Sequence, residues 1–309
     1  MQASTFTYED HAGVEIFVRK WDVDPGKERK GIVQIAHGLA EHSARYEHVA
    51  KTLTDDGFAV YADDHRGHGK TAGDLDKSGI LGPGGWDGTV KAIRNLTEYI
   101  RNDMENEDLP LFLLGHSWGS YMSQQYIQKW GNTIDGVILS GTNGKQPMLG
   151  ILKILSKMIV FFKGTESKAT FIDKLAMKPM NDPFKPSRTP FDWLTRDEDV
   201  VDEYVEDPWC GFVMSNGFFK EMAIALGKMW KKENEEKIPK DLPIYMFSGE
   251  KDPTNNMAEG FMELYHRYED LGIEDLSYKI YDGARHETLN ETNRDEVKQD
   301  FLDWLNNHI

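Results

Sequence analysis

A chain of 309 residues with ordinary hydrophobic content is long enough to bury a large core, either as one large α/β domain or as a domain carrying an insertion. A formal net charge of −16 argues against a nucleic-acid partner, because phosphate binding needs a basic surface. Cys210 is the single cysteine, which excludes an internal disulfide, suits a reducing compartment and reads as a small packing residue.

In chain order, residues 14–21 alternate as a strand, 31–36 form a short apolar run ending at His37-Gly38, and 46–56 read as a helix. Residues 59–63 are a strand before a glycine-rich turn, 86–106 a long helix, and 111–114 and 134–140 two further strands. Much later come strands at 243–248 and 276–281 and a last helix from about Glu291. This alternation predicts a mostly parallel sheet flanked by helices, with ligands beyond the C-terminal ends of its strands. It stops between 141 and 242, a stretch rich in Met, Phe, Lys and Pro and too long for a loop. The expected organisation is a core of residues 1–140 and 243–309 and an inserted helical cap, or lid, of residues 141–242. The N-terminal residues lack the basic and apolar blocks of a secretion leader. The apolar region 148–162 is short and interrupted by Lys153 and Lys157, so the expectation is a soluble, cytoplasmic protein.

The stretch Gly115-His116-Ser117-Trp118-Gly119 lies between the apolar run 111–114 and a helix-like pattern. A serine at the tip of a strand-turn-helix with glycines on both sides is the nucleophile-elbow pattern. The turn brings the chain close to itself, and Gly115, Gly119 and Ser120 keep it small. A serine hydroxyl needs a base, an acid to orient that base, and donors for a developing oxyanion. In this chain order the acid and base follow the serine at the ends of later strands. The base candidate is His286, after the last strand and before the last helix. His266 reads as helical and exposed, His308 is near the terminus, and His116 is expected to point away from the hydroxyl. Among the carboxylates, Asp252 is preferred over Glu250 and Asp282, because Asp252-Pro253 makes a turn after strand 243–248. The oxyanion donors are expected to be the backbone N–H groups of Trp118 and, from the His37-Gly38-Leu39-Ala40 loop, Leu39.

Five stretches in order carry a resemblance: His37 to Tyr46 (HGLAEHSARY), Asp64 to Gly69 (DHRGHG), the elbow, Gly249-Glu250-Lys251-Asp252, and Arg285-His286-Glu287 with Asn290-Glu291. The chain resembles the monoacylglycerol lipase and lysophospholipase branch of the α/β-hydrolases, sometimes labelled serine aminopeptidases, everywhere except in the cap. The resemblance implies the α/β-hydrolase fold, a catalytic triad of Ser117, Asp252 and His286, an oxyanion hole of Leu39 and Trp118, no cofactor, and a structural role for the 64–69 loop. His65 and His68 have no carboxylate or cysteine partner at useful spacing, so no metal is expected.

The expected activity is therefore hydrolysis of carboxylic esters of acyl lipids through an acyl-enzyme, with a small lipid ester as the substrate. The same fold also serves aminopeptidases, which would need cap carboxylates to hold an ammonium group, and acyltransferases; a non-catalytic binding protein is a further alternative. Within the cap, 148–162 places Lys153, Ser156 and Lys157 on one stripe with apolar residues around the rest, the pattern of an amphipathic helix that lines an acyl tunnel, rests on a membrane or simply packs. Residues 145–188 hold nine Lys or Arg against Glu166, Asp173 and Asp182, whereas 189–207 hold Arg196 against eight acids. A basic cap segment on an acidic protein suits peripheral contact with an anionic membrane.

Overall fold

The computed structural model describes residues 1–106, 108–145 and 149–309. Eight strands form one sheet: β1 (Gln2–Glu9), β2 (Glu15–Asp22), β3 (Gly31–Ala36), β4 (Phe58–Asp63), β5 (Leu111–His116), β6 (Gly136–Ser140), β7 (Ile244–Gly249) and β8 (Leu276–Tyr281). Their order is β1-β2-β4-β3-β5-β6-β7-β8. From β4 to β8 every neighbouring pair is parallel, and β1 and β2 join antiparallel at one edge. The mostly parallel sheet is thus present. β1 is the strand the hydrophobic pattern missed. It pairs with β2 along its whole length but is mostly exposed, so it carries little apolar signal.

The helices are α1 (Glu47–Asp55), α2 (Gly69–Ala72), α3 (Gly85–Arg101), α4 (Trp118–Trp130), α5 (Leu149–Lys163), α6 (Thr170–Met177), α7 (Glu198–Glu206), α8 (Asn216–Met229), α9 (Lys232–Glu235), α10 (Glu259–Asp270) and α11 (Arg294–Asn306). The central strands are buried throughout because both faces of the sheet are covered. Side chains alternate between those faces. Leu111 and Leu113 join α3, α4 and α10 through Trp86, Ile93, Met122 and Phe261, while Phe112 and Leu114 join α1 and α11 through Val49, Leu53, Phe301 and Leu305. Gln34, a polar residue in the middle of β3, is satisfied: its Nε2 donates to Ile93 O at 2.9 Å, and its Oε1 accepts from Thr97 Oγ1 at 2.8 Å. The expected helix over 86–106 stops at Arg101 and is followed by a short 3₁₀ turn, Met104–Asn106, whose Asn106 Nδ2 donates back to Ile100 O.

Between β6 and β7 the described residues add no strand to the sheet. Met148, expected at the start of the cap helix, lies outside the described residues. Along α5 the expected stripe divides. Ser156 is fully buried, with Leu152, Leu155 and Ile159 partly buried beside it, whereas Lys153 and Lys157 are exposed. A small side chain at 156 lets α5 lie close against α8, which also packs on α3 and α4. The apolar residues therefore fall on two faces, and Ile151, Ile154, Met158, Phe161 and Phe162 stand outward. Among the described residues no helix is long and apolar enough to cross a membrane.

Candidate active site

Ser117 sits between the end of β5 and the start of α4 with φ 52° and ψ −117°, a conformation costly for a non-glycine residue. The neighbouring glycines are sterically required. A Cβ at Gly119 would collide with the carbonyl oxygens of Ala36 and His37, and one at Gly115 with Ser123 Oγ and the Gly119 carbonyl. The turn is held by the Ser117 N–H donating to Ser140 O at 2.9 Å. It delivers the hydroxyl to the C-terminal edge of the sheet.

The loops after β7 and β8 meet it there. His286 Nε2 lies 2.8 Å from Ser117 Oγ, and His286 Nδ1 lies 2.8 Å from Asp252 Oδ2. Asp252 is fully buried and its lone pairs are occupied: Thr254 N–H and Oγ1 donate to Oδ1 at 2.9 and 2.7 Å, and Asn255 Nδ2 donates to Oδ2 at 3.1 Å. The rival carboxylates point elsewhere. Glu250 accepts from the Gly283 N–H at 3.0 Å and pairs with Lys251 at 3.1 Å, and Asp282 is exposed. Burial alone would lower the pKa of His286, but the Asp252 carboxylate, with Glu287 and Glu41 behind it, holds the imidazole above its ordinary value.

His116 does not stand apart from this chemistry. Its ring centroid is 5.0 Å from that of His286, and its Nδ1 is 3.1 Å from Ser140 Oγ. Burial and the neighbouring His286 lower its pKa to about 4, so it packs as a neutral ring. Trp193 flanks His286 on another side at 5.2 Å. Sequence reasoning singled out neither contact, because each depends on which loops converge in space.

Leu39 and Trp118 line the same cavity as Ser117 and His286. No hydrogen bond from either backbone N–H is found among the described residues. Their loops are braced by buried polar groups. Glu41 Oε1 accepts from the Gly38 N–H at 2.5 Å and from Tyr46 Oη at 2.9 Å. Arg45 donates to Glu41 and in bidentate fashion to Glu287, all at 2.7 Å. Burial would raise the Glu287 pKa, but Arg45 overrides it and takes the carboxyl to about 2.

The 64–69 loop packs behind this frame. His37 and His65 stack at 4.0 Å, and His68 stacks on Trp118 at 4.9 Å. The His65 N–H donates to His37 Nε2 at 3.0 Å, and Asp64 accepts from the N–H groups of Ser43 at 2.9 Å and Lys70 at 2.7 Å. Burial lowers the His68 pKa to about 3, and its Nδ1–H donates to Arg66 O at 3.0 Å, which leaves Nε2 to accept from the Ala40 N–H at 3.2 Å.

One group of metal-type donors occurs among the described residues, His42, Asp207 and Cys210, with donor atoms within 4.8 Å of one another. His42 Nε2 already lies 2.8 Å from Asp207 Oδ2, and burial pushes the Cys210 thiol well up, which disfavours the thiolate a metal needs.

The cavity over the serine has a volume of about 870 Å³. Leu152 of α5, Met177 of α6, Phe219 and Met222 of α8, and Phe212 and Met214 supply apolar walls. It is large and apolar enough for an acyl chain.

Residues 27–293 match the family model described as serine aminopeptidase, S33. The monoacylglycerol lipase of Mycolicibacterium smegmatis is 28% identical, covering 99% of this chain and 98% of that protein. Human monoglyceride lipase is 26% identical, covering 89% of this chain and 80% of that protein. The crystal structure of a thermostable carboxyl esterase from Bacillus coagulans in complex with glycerol superposes with a TM-score of 0.88 at 30% identity, covering 100% of this chain and 99% of that one. With the sheet, the elbow and these likenesses together, the chain belongs to the serine aminopeptidase S33 family of α/β-hydrolases, on its monoacylglycerol lipase side.

Proposed function

We propose that the chain cleaves carboxylic esters of acyl lipids by a Ser117–His286–Asp252 triad. The observation that carries this reading is the unbroken Asp252–His286–Ser117 chain, with both links at 2.8 Å, opening into an apolar cavity. The protein is a serine ester hydrolase. Ser117 Oγ attacks the ester carbonyl while His286 Nε2 takes its proton. Asp252 holds Nδ1–H and stabilises the imidazolium. The Leu39 and Trp118 N–H groups receive the oxyanion. His286 then gives its proton to the leaving alcohol, and water repeats the cycle on the acyl-enzyme to regenerate Ser117.

Residues 141–242 act as a cap over a core of 1–140 and 243–309. Its walls take the acyl chain, and its outward apolar residues, with Lys153 and Lys157 at their edge, touch an anionic lipid surface. An amine-binding role for the acids after Thr189 has little support: Asp192 accepts from Thr189, Asp202 pairs with Arg188, Asp197 with Arg294, and Asp207 with His42, and none of them borders the cavity.

The test is a fluorophosphonate labelling experiment alongside a substrate comparison. Labelling should map to Ser117, and monoacylglycerol or lysophospholipid esters should turn over far faster than aminoacyl amides. Labelling elsewhere, or preferred cleavage of the amides, would overturn the proposal.

A further inference from the structure

The loop that presents Leu39 is gripped from two sides. From the core, the Ala40 N–H donates to His68 Nε2 at 3.2 Å and the Gly38 N–H donates to Glu41 at 2.5 Å. From the inserted segment, two donors converge on one acceptor: the Gly211 N–H and Tyr204 Oη each donate to the Ala40 carbonyl at 2.9 Å. Two residues on, His42 Nε2 lies 2.8 Å from Asp207 Oδ2, and the other Asp207 oxygen is fixed by the Trp209 N–H at 2.8 Å. The Tyr204 ring lies 4.8 Å from the Arg45 guanidinium, which is itself locked between Glu41 and Glu287. The gripped residue is unusual. Ala40 has φ 53°, in the region that a side chain with a Cβ disfavours. Without outside partners such a turn relaxes, and the peptides beside it rotate.

We propose that Tyr204 is a positioning residue for catalysis. Its hydroxyl, with Gly211 and the His42–Asp207 contact, holds Ala40 left-handed and so aims the Leu39 N–H at the oxyanion. This rests on the assignment of Leu39 as an oxyanion donor. It follows that the oxyanion site is complete only while residues 204–211 are seated on the loop, so the segment that shapes the acyl cavity also gates the chemical step. An enzyme whose cap has lifted binds substrate yet stabilises the tetrahedral intermediate poorly.

Tyr204→Phe removes the hydroxyl and keeps the ring over Arg45. Loss of one of the two donors on Ala40 O should lower kcat about three- to tenfold with KM nearly constant. The factor should be the same for acetyl and long-chain esters, because the oxyanion is common to both. Affinity for a trifluoromethyl ketone, whose hemiketal adduct with Ser117 places its former carbonyl oxygen as an oxyanion in that site, should fall by the same factor, with the melting temperature close to that of the unaltered protein. Asp207→Ala should act in the same direction, which covers the case in which Tyr204→Phe disturbs the ring. Unchanged kcat in both variants, or a loss that appears only in KM or only for long chains, or an unaltered ketone affinity, would overturn the proposal. Failure of the underlying site is separately visible: Ser117→Ala that still hydrolyses esters removes the triad itself, whereas normal fluorophosphonate labelling with unaffected variants removes only the positioning role.

Discussion

The loops at the ends of β5, β7 and β8 and the segment between β6 and β7 use the same residue types in opposite ways. Around Ser117 the carboxylate and imidazole are buried and short hydrogen bonds fix both, while apolar side chains stay inside. Between residues 151 and 175 seven large apolar side chains stand exposed, with Phe161 and Phe162 the most open at 82% and 79%. A buried polar group without a partner costs far more than an exposed apolar one, so the loops that hold the reacting atoms tolerate little variation in geometry. The outward side chains of the helices between β6 and β7 carry no such constraint from within the protein. In the proposed function this division sets the chemistry at the sheet edge and the acyl chain under the inserted helices, with Tyr204 and Gly211 joining the two at Ala40.

The sharpest way to break this division is at the proposed nucleophile. Ser117→Ala should cut kcat by about a millionfold for every ester while the protein keeps its fold, read by steady-state kinetics and circular dichroism. Asp252→Asn comes next, at about ten-thousandfold, because the amide stabilises the wrong tautomer of His286; Glu250→Gln should change little. Since a base must be neutral to accept the Ser117 proton, kcat/KM of the unaltered protein should rise with pH through a midpoint above the ordinary imidazole value, which Asp252 raises. A midpoint below that value in a pH–rate profile contradicts the electrostatics of the pair.

On the other side of the comparison, Leu152→Asp changes a wall of the cavity and leaves the triad in place. Short esters should be nearly unaffected and long-chain esters should lose about ten- to a hundredfold, since each buried methylene contributes about 0.8 kcal/mol. Equal losses across chain lengths would make α5 a packing element only. The smallest effect is expected outside the cavity. Phe161→Ser with Phe162→Ser should weaken sedimentation with anionic vesicles several-fold and leave hydrolysis of a soluble short ester unchanged. Unaltered vesicle binding would remove the lipid-surface role of the outer face.

The alternation of apolar runs predicted the central strands, because a strand covered on both faces must be apolar at successive positions, as Leu111 to Leu114 are. The elbow was legible for steric reasons, as Gly115 and Gly119 leave no room for a Cβ. What the sequence could not convey were contacts made by loops far apart in the chain. The packing of His116 against His286, the double grip on Ala40, and the bidentate Arg45–Glu287 pair each join segments with no shared periodicity. The α5 stripe was only half legible. A small residue among lysines reads as polar surface by pattern, yet Ser156 is buried because close helix packing selects for size rather than polarity.

The left-handed backbone at Ser117 also bears on how this protein could age under selection or engineering. A side chain kept in that conformation stores about 1–3 kcal/mol that the rest of the molecule offsets. Glycine there would relieve the strain and forfeit the reaction, so screens for thermal endurance that do not also score turnover will drift towards a sturdier but inert protein. Any stabilising programme should therefore leave the elbow strained and seek its gains elsewhere, for instance along the exposed edge strand β1.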